Sequence, residues 1–336
     1  MTQVPLSVFD LSSIPQDGSP ADAYRRSVEL AQHAERLGYR RLWMAEHHNL
    51  DGVASAATSV LLAHVAGKTE RIRVGSGGVM LPNHAPLVIA EQFGTLESLF
   101  PGRIDLGLGR APGTDQVTAA ALRRRMDDPN ADFAQLLAEL KGYFAPVREG
   151  QRVRAIPGAG LDVPLWILGS SDYGARLAAH EGLPYAFASH FAPDYLLSAL
   201  RLYRETFRPS AQCERPYAMV AANVVVADTD AEAEYLATSL RQRFLRMIRG
   251  KRGRLDPPVE RMDDLWTPHE QAIVEAHLRV SAVGTPDRVR AKLEQIVDAT
   301  GADELIISCD VFDQAARLRS YELLARCWIQ EAAGTA

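Results

Sequence analysis

The sequence predicts an α/β fold, a (β/α)8 TIM barrel formed by a single domain over residues 1–336. Three observations favour this fold. Eight β-type segments alternate with helix-type segments, the length suits one barrel with insertions, and no G-x-G-x-x-G follows the first strand, as it more often does in a doubly wound sheet. Apolar residues make up 47% and charged residues 24% of the chain, values typical of globular proteins.

The first four βα units are complete by about residue 113. Gly38 is predicted to end the first helix, and an alanine-rich second helix is expected over residues 54–67. Alternation in the fourth strand puts isoleucine and leucines on one face and Asp105, Gly107 and Gly109 on the other, so one face is packed and the other is expected to be empty. The four predicted strands are residues 5–12, 40–48, 72–78 and 104–109.

The second half of the chain repeats the alternation. Asn130 is predicted to cap one helix, Gly182 to end another, and Thr285 with Pro286 to begin a third. Excess residues are interpreted as insertions after strands four and seven, and the last of them is a candidate mobile lid because it is rich in charge and proline. Strands five to eight are predicted at 164–171, 184–190, 216–228 and 304–310, helices at 192–207 and 229–249, and insertions at 111–129, 145–163 and 250–282.

Charge, cysteine content and hydropathy exclude several classes of function. The net charge of −5 argues against nucleic acid as the main partner. Cys213, Cys309 and Cys327 are far apart and odd in number, which excludes a C-x-x-C redox pair or zinc site and indicates reduced thiols. No apolar run approaches the roughly 18 residues needed to span a bilayer, and the amino terminus lacks the pattern of a secretory signal. We therefore expect a soluble cytoplasmic protein without a membrane partner.

One local exception to the overall acidity is residues 241–254, where seven Lys/Arg fall in 14 residues without an acid. The simpler interpretation is a solvated helix and loop. A landing site for an anionic cofactor or its donor protein is the alternative.

In a barrel of this kind the active site lies at the carboxyl ends of the strands. A turn or helix cap also explains a single Ser or Asp there, so the prediction depends on convergence. Glycines that end strands three and four, with His84 and Arg110 beside them, indicate a flat, anionic ligand resting against backbone. The strand-end residues are Asp10–Ser12, Glu46–His48, Ser76–Gly78, Arg110, Ser170, Ser171, His190, Asn223 and Asp310.

The run Glu46-His47-His48 ends strand two. Alternation sends the two imidazoles to opposite faces, so only one can point into the barrel mouth. Metal binding is a rival use for these residues with His84 and His190, because imidazole and carboxylate suit zinc. Barrel metallohydrolases usually carry H-x-H on strand one, and strand one here has none. A His acting as hydrogen-bond donor or base therefore ranks above a metal site.

Residues 168–174, LGSSDYG, combine a strand end, two serines and the start of a helix. Free backbone N–H groups, the helix dipole and the hydroxyls of Ser170 and Ser171, between Gly169 and Gly174, would form an anion cradle suited to a phosphate. An ordinary Ser N-cap is the alternative. The spacing of a G-x-S-x-G elbow is absent, which argues against a serine hydrolase.

The chain resembles the bacterial luciferase-like flavin monooxygenases, in the branch of single-chain oxidoreductases. The resemblance covers nearly the whole chain in order, and its most specific part runs from strand three to strand four. The segments that carry it are RRLWMAEHHN, VGSGGVMLPNHAPLVIAEQFGTLESLFPGRIDLGLGRAPG, WILGSSDYGARLAAHEGLP and VGTPDRV.

The resemblance implies a reduced FMN at the carboxyl mouth of the barrel, which uses O₂ to oxygenate an organic substrate. It implies that His47 acts beside the flavin as the catalytic residue. A non-proline cis peptide at Ser76, Gly77 and Gly78 would support the ring. Arg110 and the helix start at Gly169, Ser170, Ser171 and Gly174 would bind the phosphate, and no metal is implied.

The sequence also departs from the luciferases. Gly109 stands where they carry a reactive Cys, and their second phosphate Arg has no clear counterpart among residues 130–133, although Arg123–Arg125 could substitute. These differences argue against light emission and suit a flavin that arrives reduced and leaves oxidised.

The leading hypothesis is a two-component FMN-dependent monooxygenase acting on a small organic molecule. A separate flavin reductase would supply the reduced FMN, because the chain has no nicotinamide fingerprint. Alternatives are an F420-dependent oxidoreductase on the same fold, a non-catalytic flavin-binding protein and, last, a metallohydrolase. The resemblance also implies a homodimer formed through helices two and three. Substrate identity does not follow from these residues.

Overall fold

Nine parallel strands form the sheet in a computed structural model that describes residues 3–111, 113–122 and 132–330. The strands are β1 Leu6–Asp10, β2 Arg41–Met44, β3 Arg73–Met80, β4 Ile104–Gly109, β5 Leu165–Gly169, β6 Tyr185–Phe187, β7 Ala218–Val226, β8 Ser281–Gly284 and β9 Glu304–Ser308. Their order is β6-β5-β4-β3-β2-β1-β9-β7-β8, and an additional β6–β7 pairing closes eight of them into a barrel. The predicted (β/α)8 fold is confirmed.

The strand β8 was not predicted and lies outside the barrel. It pairs only with the carboxyl half of β7, from Asn223 to Val226, while the amino half of β7 pairs with β6. The sequence SAVG is too short to show a periodicity of its own, which is why residues 250–282 were interpreted as an insertion running directly into a helix.

The described helices cover the outside of the barrel. Their bounds are α1 Pro20–Leu37, α2 Thr58–Ala66, α3 Pro86–Leu99, α4 Gln116–Ala121, α5 Phe133–Phe144, α6 Asp172–Glu181, α7 Leu196–Thr206, α8 Asp230–Leu236, α9 Thr238–Ile248, α10 Pro268–His277, α11 Pro286–Thr300 and α12 Gln314–Ala325. None of these described helices combines the length and apolar composition needed to cross a bilayer.

Local signals account for most helix ends. Gly38 and Gly182 adopt left-handed conformations after α1 and α6, as predicted. Asn130 lies outside the described residues, and the cap of α5 is Asp132, whose side chain accepts from the N–H of Ala134. The single helix predicted at 229–249 is wrong, because the chain forms α8 and α9 with a break at Ala237. Helix periodicity alone does not reveal such a break.

Large inward-facing side chains fill the barrel lumen. In a parallel pair, residues in register point to the same face, and Phe9, Trp43 and Gly75 form one such row across β1, β2 and β3. Trp43 meets Trp166 edge to face, with ring centroids 5.0 Å apart. The buried lumen cluster consists of Phe9, Trp43, Ala45, Trp166, Ala186, Met219, Ala221 and Ile306.

The glycines of β3 and β4 make room for these large side chains. A Cβ on Gly75 would lie 2.6 Å from Trp43 Nε1, and one on Gly107 would lie 2.7 Å from Leu168 Cδ1. The expectation that this face of β4 is empty is therefore wrong. Asp105 is buried and ion-paired, and the space beside Gly107 is filled by other strands. Sequence alternation shows that a face lacks side chains of its own, but not which neighbours fill it.

A buried ion-pair cluster closes the lower end of the lumen. The Arg41 guanidinium donates to Asp105 Oδ2 at 2.7 Å and to Glu304 Oε1 at 2.8 Å. Arg73 approaches the second oxygen of Asp105 at 2.6 Å, and the Tyr217 hydroxyl donates to Glu304 Oε2 at 2.8 Å. We call this set, with Trp43 and Ser7 bonded to the same two carboxylates, the barrel floor. It joins β1, β2, β3, β4, β7 and β9.

Replacing the central cation should destabilise the fold. Arg41→Met is expected to lower the free energy of unfolding by about 3–5 kcal/mol, because two buried carboxylates lose a shared partner. Urea denaturation measures this change. Arg25→Met is the matched control, since Arg25 pairs with Asp22 at the surface and should unfold like the wild type. A loss below about 1 kcal/mol in Arg41→Met, the range of surface pairs, would contradict the assigned role of the floor.

Candidate functional site

The strand ends bring two imidazoles to the barrel mouth. His47 continues the alternation of β2 and lies on the same face as Trp43, which points into the lumen. His190 follows the turn after β6, and its ring contacts Phe9 of the lumen cluster. The backbone of the Glu46-His47-His48 run is fixed by bonds from His47 N–H to Ser55 O (3.2 Å) and from His48 N–H to Gly113 O (3.3 Å). Alternation predicted that only one imidazole of the run faces inward. In the structure this is His47, since His48 turns to Glu46.

Both inward-facing imidazoles are strongly perturbed. Burial lowers the pKa of His47 from 6.5 to about 4, and Arg243 adds to this shift. Burial likewise lowers the pKa of His190 to about 4, against the opposing charge of Asp310. The Nδ1 atom of each ring is buried without a hydrogen-bond partner among the described residues. Both rings are therefore neutral at physiological pH.

Arg243 on α9 reaches across the mouth to the end of β9. It donates to Asp310 Oδ2 at 2.9 Å and to the Ser13 hydroxyl at 3.2 Å. Sequence analysis gave this residue no separate role, because it lies within the basic stretch 241–254. The only signal was that Asp310 and Ser13 lie near strand ends.

A second set of polar residues surrounds Glu46, outside the lumen. Glu46 is buried and accepts bonds from Met80 N–H (3.0 Å), Asn83 Nδ2 (3.2 Å), His48 Nε2 (2.8 Å) and His84 Nε2 (2.9 Å). Burial opposes its ionisation, yet the bonds from His84 and His48 hold the pKa of the carboxyl below its ordinary value. This Glu46 cluster joins the end of β2 to the turn after β3.

The Glu46 cluster is also the arrangement closest to a metal site among the described residues. One donor atom from each of Glu46, His48 and His84 lies within 4.8 Å of the others. Four hydrogen bonds already occupy the carboxylate oxygens, which accounts for the cluster without a metal ion. His47 and His190 lie on the lumen side, so the five residues of the predicted metal alternative are not all brought together.

The rim of β3 contains a non-proline cis peptide between Gly77 and Gly78. It lies within β3, where the register against β4 shifts between Gly77 and Val79. Ser76 donates to Gly107 O at 2.8 Å, so its hydroxyl is used within the sheet. The Cβ of a residue at position 109 would lie 2.8 Å from Sδ of the flexible Met80 side chain, which would have to shift to admit a cysteine there.

The structure brings the residues of the predicted anion cradle close together at the start of α6. Ser171 is the N-cap residue of α6, but its side chain makes no capping hydrogen bond, so the ordinary cap does not explain it. The guanidinium carbon of Arg110 lies 4.1 Å from the ring centroid of Tyr173, in the first turn of α6. Gly169 and Gly174 pack against each other, since a Cβ on Gly169 would be 3.5 Å from Gly174 Cα. The strand end and the helix start are therefore adjacent, with Arg110 beside them.

Other predicted strand-end residues have structural partners. Asp10 is buried and accepts from Arg317 at 2.9 Å and from the N–H of Ser12 at 3.1 Å, away from the lumen. Asn223 donates to the carbonyl of His190 at 2.8 Å and so fixes the backbone of that residue. Asp10 therefore stabilises the turn after β1, and Asn223 supports the backbone of His190.

Residues 252–255, which we call the strap, cross the mouth from α9. Leu255 exchanges backbone hydrogen bonds with Ile14 (2.9 Å) and Gln16 (2.8 Å). The strap also contacts Gly52, where an added Cβ would lie 2.0 Å from Gly253 O. The structure thus places part of the predicted lid in direct contact with the loops after β1 and β2.

The basic stretch 241–254 is paired within the protein. Six of its seven cations have partners, which weakens its interpretation as a landing site for a free anion. The partners are Glu234 for Arg241, Asp310 for Arg243, Asp256 for Arg246, Glu270 for Arg249, Asp115 for Arg252 and the carbonyls of Gln16 and Gly18 for Arg254.

A cavity of about 740 Å³ lies outside the barrel, between α9, α10 and α11. Arg241, Trp266 and Lys292 are among the residues that line it. None of the predicted site residues lines this cavity, so it is separate from the barrel mouth.

The fold and these residues define a (β/α)8-barrel protein with a candidate ligand site at the carboxyl mouth. The sequence matches the family described as luciferase-like monooxygenase over residues 4–304, and the chain belongs to this family. A luciferase-like monooxygenase of Escherichia coli K12 is 52% identical over 95% of this chain and 96% of its own length. An N-acetyl-S-alkylcysteine monooxygenase of Bacillus subtilis 168 is 30% identical over 95% and 97%.

Solved structures agree with this assignment. The crystal structure of apo-MsnO8 is 36% identical, with a TM-score of 0.86 over 97% of this chain and 98% of that one. Two more distant structures share the fold alone. One is the oxygenating constituent of 3,6-diketocamphane monooxygenase from Pseudomonas putida in complex with FMN (18% identical, TM-score 0.73, 97% of each chain). The other is an F420-dependent secondary alcohol dehydrogenase (15% identical, TM-score 0.65, 97% and 99%). Membership of the family supports oxidoreductase chemistry.

The perturbed imidazoles should make stability depend on pH. Because the folded-state pKa of His47 and His190 is about 4 and the ordinary value is 6.5, the unfolded chain binds more protons between these limits. Their contribution to stability is thus present above about pH 6.5 and lost as the pH falls toward 4. The double variant His47→Asn/His190→Asn is expected to lose less stability than the wild type over this range, measured by urea denaturation. His269→Asn, at an exposed histidine, is the control, and parallel curves for wild type and double variant would contradict the assignment.

Proposed function

We propose that the protein is an FMN-dependent monooxygenase that oxygenates a small organic molecule with O₂. The observation that carries this proposal is the combination of an anion cradle at Arg110 and α6 with two neutral imidazoles in the same barrel mouth. The anion cradle suits the phosphate of a flavin mononucleotide. The neutral imidazoles suit hydrogen-bond donation to the flavin ring without adding a charge. The family supports a monooxygenase, and the cofactor and substrate are our proposal.

The residues present fit a flavin on two counts. His47 has a buried Nδ1 without a partner in the described structure, so its ring has hydrogen-bonding capacity that the fold does not use. The N-cap Ser171 likewise leaves its hydroxyl unused for capping. The cis peptide at Gly77 and Gly78 lies between these two places, on the adjacent strand rim. When bound, reduced FMN would supply the electrons that activate O₂.

The protein residues have separate roles in this proposal. His47 holds its proton on Nε2 and donates it toward the ring edge, since Nδ1 faces the interior. Arg110, Ser170, Ser171 and the first N–H groups of α6 bind the phosphate. The strap covers the mouth beside β1 and β2, which would exclude water from the reacting atoms.

FMN is preferred to F420 because the cradle at α6 is the feature that a terminal phosphate requires. The solved relatives include one protein in complex with FMN and one that is F420-dependent, so the fold does not decide between them. Following the absorbance of each reduced cofactor in the presence of the protein separates the two. FMN that stays bound through purification, with no O₂-dependent product, would favour a non-catalytic flavin-binding protein.

The partners also belong to the proposal. A separate reductase would deliver the reduced FMN in the cytoplasm. A homodimer through α2 and α3 is supported by large apolar side chains that these helices expose, since Val60, Val88 and Leu99 are 66%, 43% and 61% exposed. The charge pairing of residues 241–254 removes the feature that had suggested a donor-protein landing site there.

Loss of the Arg110 guanidinium should weaken FMN binding but not riboflavin binding. A charge-assisted hydrogen bond contributes about 1.5–3 kcal/mol, so Arg110→Met is expected to raise the Kd for FMN by about 10–150-fold. Fluorescence titration with both flavins measures this difference. Arg148→Met, at an exposed residue of the 145–163 insertion, is the control. An equal loss for FMN and riboflavin would show that Arg110 does not bind the phosphate.

Loss of the His47 imidazole should leave FMN binding unchanged and reduce substrate turnover. His47→Ala is expected to bind FMN like the wild type and to lose about 10²–10⁴-fold of the substrate-dependent O₂ consumption, the usual contribution of a proton donor or base. An oxygen electrode, with thioethers and ketones as screened substrates, follows the reaction, and His269→Ala is the control. Equal rates in His47→Ala and wild type would remove His47 from the mechanism.

A further inference from the structure

His190 lies across the mouth from His47, after β6, and β6 pairs with β5, the strand that ends at Gly169. The predicted cofactor residues lie at the ends of β2, β3, β4 and β5, which we call the cofactor half, and His190 follows β6, four strands from β2 around the barrel. The two imidazoles are nevertheless close enough for the charge of His47 to affect the pKa of His190. Phe9 of the lumen cluster packs against His190, so the ring lies on the lumen side of the mouth, beside the cofactor half.

The ring of His190 is held in place without using its own nitrogens. Phe9 packs against it edge to face, with centroids 5.0 Å apart, and Asn223 bonds its backbone carbonyl at 2.8 Å. Nδ1 is buried without a partner among the described residues, while the ring as a whole is only partly buried. A proton on Nδ1 would be a buried, unpaired donor, so the neutral ring carries its proton on Nε2, at the accessible edge.

The charges around His190 balance. Asp310, Arg243 and His47 are the charged and titratable groups that act on it, and Asp310 and Arg243 pair with each other at 2.9 Å. Phe9 adds an apolar surface. This half of the mouth therefore offers one neutral donor in apolar surroundings and no unpaired charge among these groups.

We propose that His190 is a substrate-binding residue whose Nε2–H donates a hydrogen bond to an uncharged acceptor, and that the substrate is a neutral, largely apolar ketone or thioether rather than a carboxylate. This inference extends the proposed function, since it assigns the second half of the same mouth. A carboxylate would face no free cation there and would lose its hydration without compensation. A carbonyl or sulfur acceptor would satisfy the donor at little desolvation cost.

The first test uses the protein without cofactor. Nitrogen-15 NMR of the histidine rings should show His190 as the neutral Nε2–H tautomer from about pH 8 to about pH 5, below the range in which ordinary histidines titrate. A charged His190 at about pH 6, or a proton on Nδ1, would overturn the inference irrespective of any flavin binding.

The second test adds ligands to the labelled protein and to His190→Gln. Neutral ketones and thioethers should shift the His190 Nε2 signal, and the carboxylates of matching carbon skeleton should not. FMN should bind wild type and His190→Gln equally, because His190 lies outside the cofactor half. Shifts with carboxylates only, or with neither series, would overturn the proposal. Failure of FMN to bind the wild type would instead refute the proposed function and leave the assignment of His190 to the ketone and thioether data.

Discussion

The buried interaction between Arg41 and the carboxylates of Asp105 and Glu304 is the constraint on which the rest of the barrel depends. A guanidinium can satisfy two carboxylates in fixed directions, whereas apolar contacts in the same place could slide. The two partners of Arg41 come from strands on both sides of β2. The floor therefore fixes the positions of these strands relative to one another along the barrel axis. These positions determine which residues reach the mouth, and they bring His47 and His190 to the same level.

The middle of the lumen links this floor to the mouth. Trp43 occupies the space that Gly75 leaves, Leu168 approaches Gly107, and a methyl group at either glycine would collide with its neighbours. The same packing reaches the rim, where a Cβ on Gly77 would lie 3.0 Å from Phe9 and one on Gly78 would lie 2.8 Å from Gly107 O. Glycine on β3 and β4 is therefore a packing requirement along the lumen.

Structural features that depend on local sequence pattern could be predicted, and features that depend on partners distant in the chain could not. The eight barrel strands, the opposite directions of His47 and His48 and the helix start at Ser170 and Ser171 follow from alternation and capping chemistry, which are local. The floor joins Arg41 to Glu304, and the mouth joins Arg243 to Ser13, across most of the chain, and no periodicity reports such pairs. The strand β8 was missed for the opposite reason, because four residues carry too little pattern. The cis peptide at Gly77 and Gly78 came from the family resemblance and is confirmed by the structure.

The two ends of the lumen differ in whether their buried polar groups have partners. At the floor every charge has a fixed partner, so the floor has no remaining capacity for a ligand and contributes only to the fold. At the mouth the ion pair of Arg243 with Asp310 lies beside two imidazoles that keep a nitrogen unpaired in the described structure. Leaving buried nitrogens unsatisfied costs folding free energy, which the paired floor and the packed lumen can sustain. A chain selected only for stability would have paired these nitrogens or replaced the rings by apolar side chains. The uneven distribution of satisfied and unsatisfied groups along one lumen therefore supports the proposed site at the mouth independently of any sequence motif.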